Sequence, residues 1–112
     1  MSKIKGEQES RRVWIDGVEL LPDESQKMRN HSPDGFNWGY TGSGPSQLAL
    51  AIMLHCTDKE VAGDTYQDFK REVVAGWKGD FEVEIDVEKW SLDHYVSIEQ
   101  AKEAYEDEMR RK

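Results

Sequence analysis

The spacing of apolar residues changes period several times along this chain, and each change marks an element. In "RRVWIDGVELL" the period is two on both sides of Asp16-Gly17. That pair suits a two-residue type I′ turn, in which both central positions need positive φ. Closing the chain there sets Ile15 opposite Val18 and Val13 opposite Leu20 on one face, with Trp14 opposite Glu19 on the other. The matching faces predict a hairpin over residues 12–21. Period two returns in "FNWGYT", where Phe36, Trp38 and Tyr40 share a face. This predicts an aromatic strand at 36–41, with Gly39 leaving room for a close neighbour. It is strictest in "DFEVEIDVEKW", where Phe81, Val83, Ile85 and Val87 alternate with Glu82, Glu84, Asp86 and Glu88. A strand at 80–88 with an acidic outer face is expected.

The intervening stretches carry helical spacing. In "PSQLALAIMLHC" every residue from Leu48 to Leu54 is apolar. This predicts a buried helix over 45–56, with Pro45 at the first helical position and Ser43 or Gly44 as its cap. Thr57 and Glu60 form a capping-box pattern, and Ala62, Tyr66, Phe69, Val73 and Trp77 follow at intervals of three and four. A second, amphipathic helix over 58–76 is expected. Ser97 is placed to cap a third at 97–110, whose apolar stripe is Ile98, Ala101, Tyr105 and Met109. Residues 1–11 are charged and aperiodic and read as a flexible leader. "LPDESQKMRNHSPDG" reads as loop. The predicted fold is a single α+β domain over 12–112. Its small, mainly antiparallel sheet combines the hairpin, the aromatic strand and the acidic strand, packed on two or three helices. Phe36, Trp38 and Tyr40 should meet Leu50, Ile52, Phe69 and Val73.

Length and charge narrow the function classes. The chain of 112 residues is the size of one domain, and its net charge is −8, with 23 acidic against 15 basic residues. Direct nucleic-acid binding and attachment to anionic membranes favour clustered Lys and Arg, so neither is expected. Cys56 is the single cysteine, which rules out an internal disulfide and a thiolate-rich zinc site. No apolar signal core and no run of roughly 18 or more apolar residues is present, and a cytoplasmic location is expected.

"RNHSPDGFNWGYTGSGPSQLALAIML", followed by "YQDFKREVVA", resembles an uncharacterised domain family of small bacterial, archaeal and phage proteins. The family pattern is N-H-S-P-x-G-F-x-W-G-Y-x-G-S-G-P-A-Q-L-A-L-A-I-L, then Y-Q-x-F-K-x-E-V-V-A. The match covers about residues 29–75 and departs at Ser46, where the pattern has Ala. The resemblance implies a shared core and brings no assigned activity. The acidic strand and the terminal helix lie outside it.

The chemistry-bearing residues concentrate in the same stretch. Asn30, His31, Ser32, Asn37, Tyr40, Ser43 and Gly44 are the candidate ligand or functional loop. "GSGPS" could cradle an anion at a helix start, but no Lys-Ser/Thr and no third fingerprint glycine follow, so turn chemistry is the favoured use. His31, Ser32 and Asp34 are too close in sequence to converge readily as a catalytic group. His31 is still the best single candidate, since it titrates near neutral pH. No catalytic set, cofactor or metal site is assigned. His31, His55 and His94 lie on separate segments, and Glu82, Glu84, Asp86 and Glu88 fan along a line. Those four acids form a candidate acidic surface, at a sheet edge or an interface. Cys56 reads as a small core residue.

Three functional readings follow. The leading one is a small non-enzymatic cytosolic interaction or accessory protein, phage- or mobile-element-associated, with an unidentified protein partner and no oligomeric state implied. The second is a small-ligand or anion binder or enzyme centred on the NHSPDG and GSGPS loops, which requires His31, Ser32, Asn37, Tyr40 and Ser43 to share one cleft. The third is an acidic mimic of nucleic acid that binds a basic protein, which requires a continuous negative surface.

Overall fold

A computed structural model describes residues 1–110, the side chain of Asp107 apart. The fold is α+β. Four antiparallel strands, β1 (Ser2–Glu7), β2 (Arg12–Ile15), β3 (Val18–Leu20) and β4 (Phe81–Ile85), form a sheet of order β3-β2-β1-β4. Helices α1 (Asp23–Met28), α2 (Ser43–Cys56), α3 (Lys59–Glu72) and α4 (Val87–Arg110) accompany it, with a 3₁₀ turn at Val74–Gly76.

The hairpin forms in the expected register, Ile15 against Val18, Trp14 against Glu19 and Val13 against Leu20. Asp16 and Gly17 both have positive φ, 50° and 83°. Asp16 also ties the turn to β1: its N–H donates to the Lys3 carbonyl and its Oδ1 accepts the Lys3 N–H, each at 2.8 Å.

Residues 2–7 are not a flexible leader. They form β1, an interior strand with β2 on one side and β4 on the other. Ile4 is fully buried between Ile15 and Val83. The next inward position is Gly6, and the Phe81 ring of the neighbouring strand occupies the space where a side chain would stand. One inward residue of β1 is therefore supplied by β4, which hides its apolar period.

The aromatic strand at 36–41 does not form. Gly39 has φ +87° and its N–H donates to the Val74 carbonyl, while Asn37 Oδ1 accepts the Trp38 N–H that a sheet ladder would need. The segment is an irregular loop over the core. Phe36 and Trp38 are buried in the same cluster as Leu50, Ile52 and Phe69, whereas Tyr40 turns out to the surface. Trp38 meets Phe81 edge-on at 5.0 Å and donates its indole N–H to the Gly79 carbonyl at 2.8 Å.

α2 has no wet face from Gly44 to Met53. It begins two residues before Pro45, with Gly42 at the N-cap, so neither Ser43 nor Gly44 caps it. α3 is capped by Asp58, whose side chain accepts the Val61 N–H, and not by Thr57, which bonds back to the Met53 carbonyl. The stretch read as loop holds α1, whose Ser25 is buried. The acidic strand ends at Ile85, and Asp86 accepts the Lys89 N–H at the start of α4. α4 therefore begins ten residues before the expected position, and Ser97 sits inside it with its hydroxyl donating to Asp93. The buried and half-buried face of its first turns is Val87, Trp90, Ser91, His94, Tyr95 and Ile98. Two of those six are a serine and a histidine, which masks the helical spacing.

Candidate functional site

The loop between α1 and α2 is organised by one side chain of α2. Gln47 is fully buried, and its amide uses all its hydrogen-bonding capacity. Its Oε1 accepts the His31 N–H at 2.7 Å and the Ser32 N–H at 3.0 Å. Its Nε2 donates to Ser25 Oγ at 2.8 Å and to the Arg29 carbonyl at 3.1 Å. A polar residue inside an otherwise apolar helix must find such partners, because an unpaired buried amide is costly. That was the signal for Gln47 in the sequence.

His31 is drawn away from the rest of the candidate set. Its Nε2 lies 2.8 Å from the Tyr66 hydroxyl on α3, and the two rings are tilted at 5.6 Å. Partial burial, with the nearby positive charges of Arg29 and Lys70, lowers its pKa, so the ring is neutral near pH 7. Asn30 is exposed at the loop's start.

The other candidates do come together. Ser32, Asn37, Tyr40, Ser43 and Gly44 line one open concavity of about 190 Å³, with Asp34 and Arg11. Arg11 reaches it from the β1–β2 connection, where its φ is +60°. The second glycine of "GSG" has a packing reason. A Cβ on Gly44 would stand 2.6 Å from Asn37 Cβ and 3.2 Å from the Tyr40 hydroxyl. The loop thus closes directly onto the first turn of α2. That turn carries no acidic residue and no side-chain cap. Its free N–H groups, with Arg11, can attract an anion, while Asp34 opposes one. The volume lies below the roughly 300–1,000 Å³ of drug-sized ligand sites.

The four acids, all exposed, divide between two elements. Glu82 and Glu84 lie on the outer face of the sheet, interleaved with Lys3 and Lys5 of β1. Lys3 Nζ contacts Glu82 at 2.8 Å, which holds that carboxyl below its usual range. Asp86 serves the α4 N-terminus, and Glu88 is exposed in its first turn. Cys56 lies close to Ser2 Oγ and its thiol pKa is pushed up by burial, which makes it a poor nucleophile at neutral pH. Among the described residues, no three His, Cys, Asp or Glu gather as a metal site, and no helix is long and apolar enough to cross a membrane.

A family model for a family of unknown function, DUF6166, matches residues 4–96. The chain belongs to the DUF6166 family. The match takes in the whole sheet from Ile4 onward, the candidate loop, α1 to α3 and the packed start of α4. The rest of α4, beyond the DUF6166 match, is exposed from Ala101 to Glu106 and from Glu108 to Arg110. No curated protein and no solved structure matches this DUF6166 chain.

The sheet carries a surface that the sequence reading did not single out. Its inward face meets the helices. The outward face holds Trp14 among Lys3, Lys5, Glu7 and Glu82, with the Arg12 guanidinium 5.1 Å from the indole centroid.

Proposed function

We propose that this DUF6166 chain is a small non-enzymatic interaction protein that docks a protein partner on the open face of its sheet. The supporting observation is the half-exposed Trp14 among charged side chains of both signs, with Arg12 against the indole and Lys3 on Glu82. Trp and Arg surrounded by polar side chains are the residue types that dominate binding energy in protein interfaces. Alternating charge suits a partner that carries both signs around an apolar spot. It fits less well with an acidic mimic of nucleic acid, because Lys3, Lys5 and Arg12 break the negative face. The small, acidic chain fits an accessory role in a phage or mobile element. The test is affinity capture from the native host with wild type and Trp14→Ala, followed by titration of the purified partner. A partner whose affinity falls about tenfold or more with Trp14→Ala supports the reading. Identical captures from both proteins overturn it.

A second reading has its own support. Four of the five side chains it calls for, Ser32, Asn37, Tyr40 and Ser43, line the concavity at the start of α2 with Gly44 and Arg11, while His31 turns to Tyr66 and drops out of it. It would take a small anion such as phosphate. Phosphate titration followed by melting temperature and by the Ser43 and Gly44 amide resonances tests it. A response lost in Arg11→Ala supports it, and flat curves dispose of it.

A further inference from the structure

We infer that β3 is a self-pairing edge through which two copies of this chain join their sheets across a two-fold axis. β3 lies at the end of the sheet order, and none of its backbone groups bonds to a described residue beyond β2. The register decides which groups are free. Ile15 and Val18 flank the two-residue turn and form its hydrogen-bonded pair. Trp14 and Glu19 are then a non-hydrogen-bonded pair, and Val13 and Leu20 the next bonded one. The N–H and C=O of Glu19 therefore point away from β2 into the open edge. An antiparallel partner strand with Glu19 opposite Glu19 would exchange both bonds at once and set Val18 of each copy beside Leu20 of the other.

Side chains favour that occupant. Val18 stands on the core-facing side of the sheet, opposite buried Ile15, yet it is 66% exposed because no strand lies beyond it. Leu21 is 59% exposed, and both border an open groove of about 540 Å³ lined also by Leu20, Ala51 and Leu54. A second copy would cover these groups on both chains with one isologous contact. Charge permits it. Arg12 grips both carboxylate oxygens of Glu19, at 2.8 and 2.9 Å, so the facing pair is a neutral Arg-Glu-Glu-Arg row. The β4 edge is less suited: self-pairing centred on Val83 sets Glu82 of each copy against Glu84 of the other, and of these two acids only Glu82 is ion-paired among the described residues, to Lys3.

The test combines mass with register. Light scattering on the full chain at high micromolar concentration should give a dimer, and Val18→Lys should give a monomer whose melting temperature matches that of the wild type diluted to its monomer. Register is read with Glu19→Cys, in a background of Cys56→Ser and Arg12→Gln that leaves one thiol and no unpaired charge at the edge. Opposed Cα atoms about 5.5 Å apart lie within disulfide range, so mild oxidation should yield a covalent dimer. Glu82→Cys in a Cys56→Ser background, with Arg12 and Glu19 kept, should give no covalent dimer under the same oxidation. A monomeric wild type overturns the inference. So does a wild-type dimer whose Glu19→Cys protein fails to cross-link, whatever its Val18→Lys variant does.

Discussion

Gln47 and His31 are joined through the backbone: the Gln47 side-chain oxygen accepts the His31 N–H at 2.7 Å, and the same amide reaches Ser32, Ser25 and Arg29. The loop before α2 is thereby fixed at three successive elements: the end of α1, the turn at Ser32 and α2 itself. Replacing Gln47 with Leu keeps most of the volume and removes every bond. Several partly buried groups are then left unpaired, and the loss should be about 3 kcal/mol or more by urea denaturation. Hydrogen exchange at the Ser32 amide should accelerate in step. A loss under about 1 kcal/mol would show that water replaces the amide, and that Gln47 does not hold the loop.

Gly39 and Gly17 offer a matched comparison. Their φ values are +87° and +83°, so alanine is strained at both. Only Gly39 is also crowded, since a Cβ there would stand 2.8 Å from the Trp77 carbonyl oxygen, whereas nothing lies near Gly17. Gly39→Ala should cost roughly 1–3 kcal/mol from conformation plus a further clash, and Gly17→Ala the conformational part alone. Equal losses in the two variants would contradict the close approach at Trp77.

The lowered pKa of His31 sets a direction for acid stability. Burial disfavours its charged form first, and Arg29 and Lys70 add to it. The unfolded chain takes up the proton near the ordinary value of 6.5, before the folded chain does. Stability is therefore fully present above about pH 6.5 and is lost as pH falls from there toward the lower folded pKa. His31→Gln, which cannot titrate, should flatten the curve of stability against pH over that window. An unchanged slope would place the effect on other groups.

The hairpin, the buried helix and the acidic strand were legible because each is controlled by neighbours in sequence. Asp16-Gly17 sets its own register, and seven consecutive apolar residues leave α2 no solvent face. The misread elements depend on distant partners. The alternation at Phe36, Trp38 and Tyr40 is real, but Gly39 turns the chain toward Val74 before a ladder can start. The start of α4 presents Ser91 and His94 inward, with His94 stacked on Trp90 and in contact with Glu72. Of the candidate loop, Ser32, Asn37, Tyr40, Ser43 and Gly44 line one concavity, because the chain folds back on the first turn of α2. The departure of His31 toward Tyr66 was not legible in the sequence, because Tyr66 lies one helix further along the chain.

Gly6 and Phe81 make the sharpest case of one residue standing in for another. β1 presents only Ile4 as a large inward side chain, and the Phe81 ring lies over Gly6 from β4, extending to Trp38 and Trp77. Phe81→Ala should destabilise by about 2 kcal/mol, less than a fully buried Phe because Phe81 is half-buried. Gly6→Ala alone pushes a methyl into the ring and should cost about 1–3 kcal/mol. In the double variant the methyl enters the space the ring has left, and alanine suits a strand better than glycine. The double variant should therefore be more stable than the sum of the two losses predicts, by about 1 kcal/mol or more in a double-mutant cycle. Strict additivity would mean that the ring and the glycine are independent. The aperiodicity of the first residues would then need a cause other than the side chain that β4 lends to β1.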